Sequence, residues 1–266
     1  MQLTRELEIL RARAQRVSIG TERGAPDPVE LAARVGFQLD GWQQDVLLSQ
    51  AHQIILLVSR QGGKSTVSSI RALYRALYRP ASLVLLLAPS YRQSKELFRK
   101  VKDPYNALAA PVAATASALE MEFANLSRIV ALPGKEATIR GFSGVSLLIV
   151  DEASRVPDEL YQAIRPMLAV SGGDILLLST PFGKRGFFHH EWIEGGKDWL
   201  RKKVTAYQCP RIDKAWLDNE RRRIGDWWFS QEYLCEFVET TDQVFSYDDV
   251  QRALDENVKP LFGAAA

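Results

Sequence analysis

The chain has very few cysteines: Cys209 and Cys235 are the only two among its 266 residues. Two thiols so far apart support neither a disulfide framework nor a zinc knuckle, and they read as reduced cysteines of a cytosolic protein. Net charge is also nearly missing. The 34 Lys+Arg against 32 Asp+Glu leave +2, so bulk charge declares no nucleic-acid partner and any such surface has to be local. No apolar run reaches the length of a membrane span, and the start Met1–Glu6 alternates charged with apolar residues, unlike a signal peptide. The expectation is a soluble protein with no membrane partner. His189-His190 have no spaced third ligand, which leaves a zinc role unsupported. There is no internal repeat, and the one low-complexity run is Ala264-Ala265-Ala266.

What is present is enough apolar residue for a sizeable core, 46% of the chain, and a length that suits one large domain with a small appendage. Leu3, Leu7, Leu10 and Ala14 recur at helical spacing among charges, and Gly20–Pro28 then breaks the pattern, so residues 1–26 read as an N-terminal helix and linker. From Asp27 onward, short β-rich runs (Gln53–Val58, Ser82–Ala88, Arg128–Leu132, Ser146–Val150, Asp174–Ser179, Lys202–Ala206) are separated by helical stretches, notably 64–79, 90–109 and 158–169. Nearly unbroken apolar strands alternating with helices predict an α/β fold, a mostly parallel sheet covered on both faces, over residues 27–206. Residues 207–256, rich in Arg and Trp, predict a small helical lid. Its tryptophans Trp216, Trp227 and Trp228 are expected to supply its core.

The run Val58-Ser59-Arg60-Gln61-Gly62-Gly63-Lys64-Ser65-Thr66 lies between an apolar strand and a helix, the context of a phosphate-binding loop. Gly62 and Gly63 allow backbone N–H groups to approach phosphate, Lys64 reaches the β- and γ-phosphates of ATP, and the Ser65 hydroxyl is a Mg²⁺ ligand. Ser59, Arg60, Gln61 and Thr66 complete the ATP-binding loop. Its departure is Val58, where the usual motif has its first glycine. A Gly-Gly turn before an ordinary helix would share these residues but not the second motif. That motif is Leu147-Leu148-Ile149-Val150-Asp151-Glu152, a buried strand ending in two carboxylates. Asp151 is placed to hold Mg²⁺ and Glu152 to polarise the attacking water, whereas Asp158 and Glu159 read simply as the start of the next helix. The strand Ser82–Ala88, between loop and carboxylates in sequence, fits the ASCE branch of P-loop NTPases. Gln43, after Trp42, offers an amide to the adenine edge, and at Ser179-Thr180-Pro181 a strand ends in hydroxyls where Thr180 would sense the γ-phosphate.

Together, Trp42-Gln43, Ser59-Arg60-Gln61-Gly62-Gly63-Lys64-Ser65, Ala88-Pro89-Ser90, Ile149-Val150-Asp151-Glu152-Ala153 and Ser179-Thr180-Pro181 resemble the large terminase subunit of tailed double-stranded DNA viruses over roughly residues 38–240. The resemblance implies an ATPase motor that threads double-stranded DNA through a portal protein into a procapsid, as a homo-oligomeric ring (a pentamer), with a small terminase subunit as partner. The implied location is the cytoplasm of the infected host cell and, transiently, the portal vertex. It also implies a C-terminal nuclease domain. The chain stops at Gly263–Ala266 before the acidic residues of a two-metal site, so residues 257–266 read as a tail on a truncated chain. Residue by residue, the resemblance gives Gln43 the adenine, Lys64 and Ser65 the phosphates and Mg²⁺, Asp151 and Glu152 the metal and water, and Thr180 the coupling role. A helicase-like translocase and a non-hydrolysing nucleotide-dependent assembly module are the competing readings.

Between Tyr91 and Lys102, Arg92, Lys95, Arg99, Lys100 and Lys102 are opposed by Glu96 alone, so this helix is the expected DNA surface, with Arg99, Lys100 and Lys102 as its contacts. Arg221-Arg222-Arg223 is the second basic cluster. A ring motor also calls for an arginine finger. Arg140, opening the loop Gly141-Phe142-Ser143-Gly144, is the expected finger acting on a neighbouring subunit, and Arg60 is its rival in cis.

Overall fold

The computed structural model describes residues 25–108, 115–133, 141–239 and 253; the expected helix at 3–17, Arg140 and most of 240–266 lie outside them. Two short helices, α1 (Pro28–Arg34) and α2 (Gly41–Leu48), lead into β1 (Gln53–Val58), α3 (Lys64–Tyr78), β2 (Leu83–Ala88) and α4 (Tyr91–Ala107). Then come β3 (Thr115–Ala116), β4 (Glu120–Glu122), β5 (Arg128–Pro133), β6 (Val145–Asp151), α5 (Asp158–Ile164), β7 (Asp174–Ser179), α6 (Gly186–Ile193) and β8 (Trp199–Val204). Two further helices, α7 (Lys214–Ile224) and α8 (Asp226–Glu232), follow the sheet. Among the described residues no helix is long and apolar enough to cross a membrane.

The strands form one sheet in the order β3-β4-β5-β2-β6-β7-β1-β8. All pairings from β5 to β8 are parallel, and only β3–β4 and β4–β5 are antiparallel. Alternation along the strands divides the core in two, because successive side chains leave a strand on opposite faces. Ile54, Leu56, Val84, Leu86, Ile149 and Leu176 pack with α1–α4 on one face. Ile55, Leu57, Leu85, Leu87, Leu148 and Leu177 pack with α5 and α6 on the other. These are the two covered faces that the unbroken apolar runs require.

Three details differ from the sequence reading. The last strand begins at Trp199 rather than Lys202 and occupies the sheet edge, where the half-buried Lys202 and the exposed Lys203 are tolerated and discourage further pairing. The helix expected over 158–169 is α-helical only to Ile164 and tightens into a 3₁₀ turn at Arg165–Leu168, because Pro166 has no N–H to continue the ladder. In the sheet, the strand that separates the loop-bearing β1 from the carboxylate-bearing β6 is β7. The strand β2, which intervenes in sequence, lies beyond β6.

The helices α7 and α8 build a small core of their own from Ala206, Leu217 and Phe229, with Tyr207, Ile212 and Tyr233 against it. The tryptophans are not that core. Trp216 and Trp228 are about half exposed, at 48% and 52%, and Trp227 donates Nε1–H to the Glu239 carbonyl at 3.0 Å.

Candidate active site

Because the strands are parallel and in register, their C-terminal ends come together. Leu57 pairs with Ser179 and Asp151 with Leu178, so the loop after Val58, the carboxylates after Val150 and the hydroxyls after Leu178 share one edge. The loop between β1 and α3 depends on its glycines. A Cβ at Gly62 would sit 2.6 Å from Val58 Cγ1, and one at Gly63, whose φ is +93°, would sit 2.6 Å from Gln43 Nε2. This accounts for Val58 at the first glycine position: its fully buried side chain fills the space beneath the loop, and Gly62 leaves room for it. Gln61 also adopts the left-handed region, with φ +57°.

The loop's carbonyls are held from behind. Gln43, 2% exposed, donates Nε2–H to the Gly63 carbonyl at 3.0 Å while its Oε1 accepts from the Asp40 N–H at 2.8 Å. Arg211 donates to the Gly62 carbonyl at 3.3 Å and to Asp40 Oδ1 at 2.7 Å. The first-turn N–H groups of α3, at Lys64 and Ser65, have no partner within the helix and are the natural donors to an anion. Ser59 Oγ is buried without a hydrogen-bond partner, as are Trp42 Nε1 and Asp40 Oδ2.

Opposite the loop, Lys64 Nζ lies 3.1 Å from Glu152 Oε1. Glu152 has φ +49°, a conformation that costs a non-glycine residue energy and that concentrates at functional positions. Its N–H donates to Asp151 Oδ1 at 3.0 Å, and Ser179 Oγ lies 3.5 Å from its Oε2. Burial pushes the Asp151 carboxyl up to about 6 against the lowering pull of Lys64; Glu152 adds to the rise, and its N–H and Lys100 oppose it. Ser65 and Asp151 present oxygen donors only, the set a hard divalent cation such as Mg²⁺ takes, and an enclosed carboxylate short of compensation fits such an ion.

A family model described as "Terminase large subunit, T4likevirus-type, N-terminal" matches residues 55–252. The chain belongs to this terminase family. It is 28% identical to the terminase large subunit of Thermus virus P23-45 over 248 residues, covering 80% of this chain and 51% of that protein. It therefore spans about half the length of the curated relatives it matches. Its fold is that of the Thermus phage P74-26 large terminase ATPase domain (TM-score 0.70, 24% identity, 79% of this chain and 98% of that one). It also superposes on the large terminase of the thermophilic bacteriophage D6E in complex with ATP-gamma-S (TM-score 0.62, 15% identity, 76% of this chain and 53% of that one). The fold class expected from the strand–helix pattern and the loop motif, an α/β P-loop NTPase with a mostly parallel sheet, is the one observed.

Other expected site residues of this terminase chain take places the sequence did not foresee. Arg60 donates Nε–H to Glu232 of α8 at 2.5 Å, and its own N–H donates to the Glu232 carbonyl at 3.2 Å. Thr180 is buried, and its carbonyl accepts from Ser154 Oγ at 2.8 Å; Ser154 also meets Ser179 Oγ at 2.7 Å. The hydroxyl beside the catalytic candidate Glu152 is thus that of Ser179. Thr66, at the start of α3, lines a cavity of about 300 Å³ together with Ser65, Phe37, Lys100 and Asp103.

The basic face on α4 needs correction. Lys100 does not share the face of Arg99: its Nζ donates to Ser65 Oγ at 3.1 Å, inside the candidate nucleotide site. Arg99 is held by Glu96 at 2.8 Å and by Asp103 at 2.9 Å, so Glu96 is not its only opponent. Lys102 does line the outer groove, with Arg92, Lys95 and Phe98. In the second basic cluster, Arg221 is likewise paired, with Asp226 at 2.6 Å. Sequence reasoning missed Ser154, Arg211 and Glu232. The last stands 172 residues from Arg60, and no local motif marks that pairing.

Proposed function

We propose that this chain is the ATP-hydrolysing motor part of a terminase large subunit, coupling turnover to translocation of double-stranded DNA into a procapsid. The observation that carries the reading is the meeting of Lys64 and Glu152 at 3.1 Å, from strands separated by β7, beside Ser65 and Asp151. Lys64 and the N–H groups of the loop bind the β- and γ-phosphates. Ser65 and Asp151 would hold Mg²⁺, which when bound supplies charge neutralisation on the phosphates. Glu152, freed from Lys64 by the phosphate, accepts a proton from the attacking water. Thr180, with Ser179 and Ser154, links that edge of the sheet to the γ-phosphate position. On the adenine side a cavity of about 420 Å³ is lined by Asp40, Gly41 and Trp42, and Gln43, whose amide is held between the Asp40 N–H and the Gly63 carbonyl, serves that side by bracing the loop. Residues 27–206 form the ATPase core and 207–256 the lid. Arg140, in sequence just before the described Gly141, acts as the finger of a neighbouring subunit, and Arg60 is the alternative within the same subunit. The ring, the portal protein and the small terminase subunit belong to the same reading.

Steady-state phosphate release with and without double-stranded DNA, combined with a nucleotide-binding titration, tests this. Lys64→Ala is expected to lose nucleotide binding, and Glu152→Ala to retain it without turnover. Wild-type rates in the folded Glu152→Ala protein would overturn the assignment. Mixing Arg140→Ala with Lys64→Ala subunits should restore turnover in joint rings; failure to do so while Arg140→Ala alone turns over normally in rings excludes the finger.

A further inference from the structure

Helix α4 sends its cations in two directions. At 100° per residue, positions 92, 95, 99 and 102 recur on one side, and position 100 is turned roughly a quarter of the circumference away from 99. Accordingly Arg92, Lys95, Arg99 and Lys102 line the outer groove together with Phe98. Lys100 instead lines a separate cavity with Ser65, Thr66 and Phe37 and donates to Ser65 Oγ at 3.1 Å. That oxygen is the hydroxyl that would ligate Mg²⁺. An ammonium hydrogen-bonded to it and a divalent ion coordinated by it would sit only a few ångströms apart, in a partly buried place where like charges repel strongly.

We infer that Lys100 is a positioning residue whose ammonium holds the Ser65 hydroxyl in the absence of Mg²⁺–nucleotide and is displaced when the ion binds, so that lysine and metal compete for one oxygen. The inference rests on the nucleotide-site reading above. It gives the site a cation of its own between turnovers and raises the Mg²⁺ concentration needed to load it. The stem of that cation is rooted in the helix that carries the outer basic groove, so loading the nucleotide site displaces a side chain of that same helix.

The test uses the full chain and a fluorescent ADP analogue, titrated with Mg²⁺ at fixed nucleotide, and Mn²⁺ binding followed by electron paramagnetic resonance as a readout independent of turnover. Lys100→Met keeps the apolar stem and removes the charge; the Mg²⁺ midpoint is expected to fall by about 3- to 10-fold, with Mn²⁺ affinity rising in parallel. Lys100→Gln, a second neutral side chain, should shift the midpoint the same way, so a single poorly folded variant does not decide the matter. Lys197→Met, which removes an exposed charge near the start of β8, should leave the midpoint where it is. An unchanged midpoint in either folded Lys100 variant overturns the inference. So does a raised one, which would make Lys100 a phosphate ligand instead of a competitor. If the wild-type chain shows no Mg²⁺-dependent binding of the analogue, the nucleotide-site reading itself fails, a result distinct from either of these.

Discussion

The two ends of β1, β7 and β6 carry similar side chains in different states of balance. At the N-terminal ends, Asp174 lies 2.7 Å from His52 Nδ1, is paired with Arg75 and has Arg71 at 3.8 Å. Arg75 also donates to the Ser146 carbonyl at 3.1 Å and Arg71 to that of Val46 at 3.2 Å. At the C-terminal ends, Asp151 and Glu152 lie side by side with Lys64 bridging to Glu152 alone, and burial raises the Asp151 carboxyl. One helix, α3, supplies Lys64 to the second cluster and Arg71 and Arg75 to the first. A carboxylate surrounded by fixed cations is structural glue. One left short of them, on a strand end beside a strained glutamate, is poised for a ligand that brings positive charge.

The largest expected effect separates the two ends. Glu152→Gln should lower ATP turnover by roughly 10²–10⁴-fold with the thermal melting point retained. Arg75→Ala should do the reverse: leaving Asp174 nearly buried and under-paired costs about 3 kcal/mol, with turnover per folded molecule kept. Loss of turnover without loss of stability in Arg75→Ala would break the comparison.

Next in size is the charge at Asp151. Its folded pKa of about 6 lies above the ordinary 3.8, so the native state binds the proton more tightly than the unfolded chain does. The contribution of this one group to stability is therefore fully present below about pH 4 and is lost as pH rises through 6. Asp151→Asn, neutral throughout, should stabilise the nucleotide-free protein at pH 7 by about 2 kcal/mol and by almost nothing at pH 3.5. Asp174→Asn should destabilise at neutral pH. Denaturant unfolding at the two pH values checks both, and a destabilised Asp151→Asn at pH 7 would mean the two ends are alike.

Much of this was legible in the sequence because the chemistry is local. Gly62, Gly63, Lys64 and Ser65 are contiguous, Asp151 and Glu152 adjoin an apolar strand, and an alternating βα pattern leaves few ways to arrange parallel strands. The order within the sheet was not legible: apolar runs carry no label saying that β7, not β2, stands between loop and carboxylates. Nor were the long-range contacts, Arg60 with Glu232 or Arg211 with Gly62, which depend on where the chain after β8 returns to the loop. A run of cations on a helix reads as one face only until its 100° turns are counted, and that counting moves Lys100 away from Arg99. For the tryptophans, size suggested a core, but Leu217 and Phe229, with Ala206, form the small apolar cluster at α7 and α8.

The loop end can also be probed by packing, without changing any charge. Gly62→Ala places a methyl 2.6 Å from Val58 Cγ1 and 3.1 Å from the Ser59 carbonyl, which should cost about 1–3 kcal/mol and weaken nucleotide binding. Val58→Ala removes the closer obstacle. In the double variant the penalty should fall by about 1 kcal/mol relative to the sum of the single changes, measured by chemical denaturation. Strict additivity would mean that the Ser59 carbonyl, not Val58, sets the glycine requirement.

The smallest expected effect concerns the outer groove of α4, where the contrast between paired and unpaired charge recurs in solvent. Arg99 already shares its guanidinium with Glu96 and Asp103, all three exposed, and must give up these partners before it can hold a DNA phosphate. Lys95 and Lys102, on the same groove, have no such exchange to make in any pair shown by the structure. Each cation withdrawn from a phosphate should lower the slope of log affinity against log salt by about 0.9. Lys95→Ala and Lys102→Ala are therefore expected to change that slope, with Arg99→Ala changing it less and none of the three moving the melting point appreciably. The converse change is more telling. Glu96→Gln with Asp103→Asn releases Arg99 and removes two repulsive charges, so double-stranded DNA should bind more tightly, about equally for all sequences and most clearly at low salt. Fluorescence anisotropy over a salt series measures both. Tighter binding would show that intrahelical pairing holds this face in check, whereas unchanged affinity and slope across all these variants would take α4 out of the DNA path and leave Arg221–Arg223 as the next surface to test.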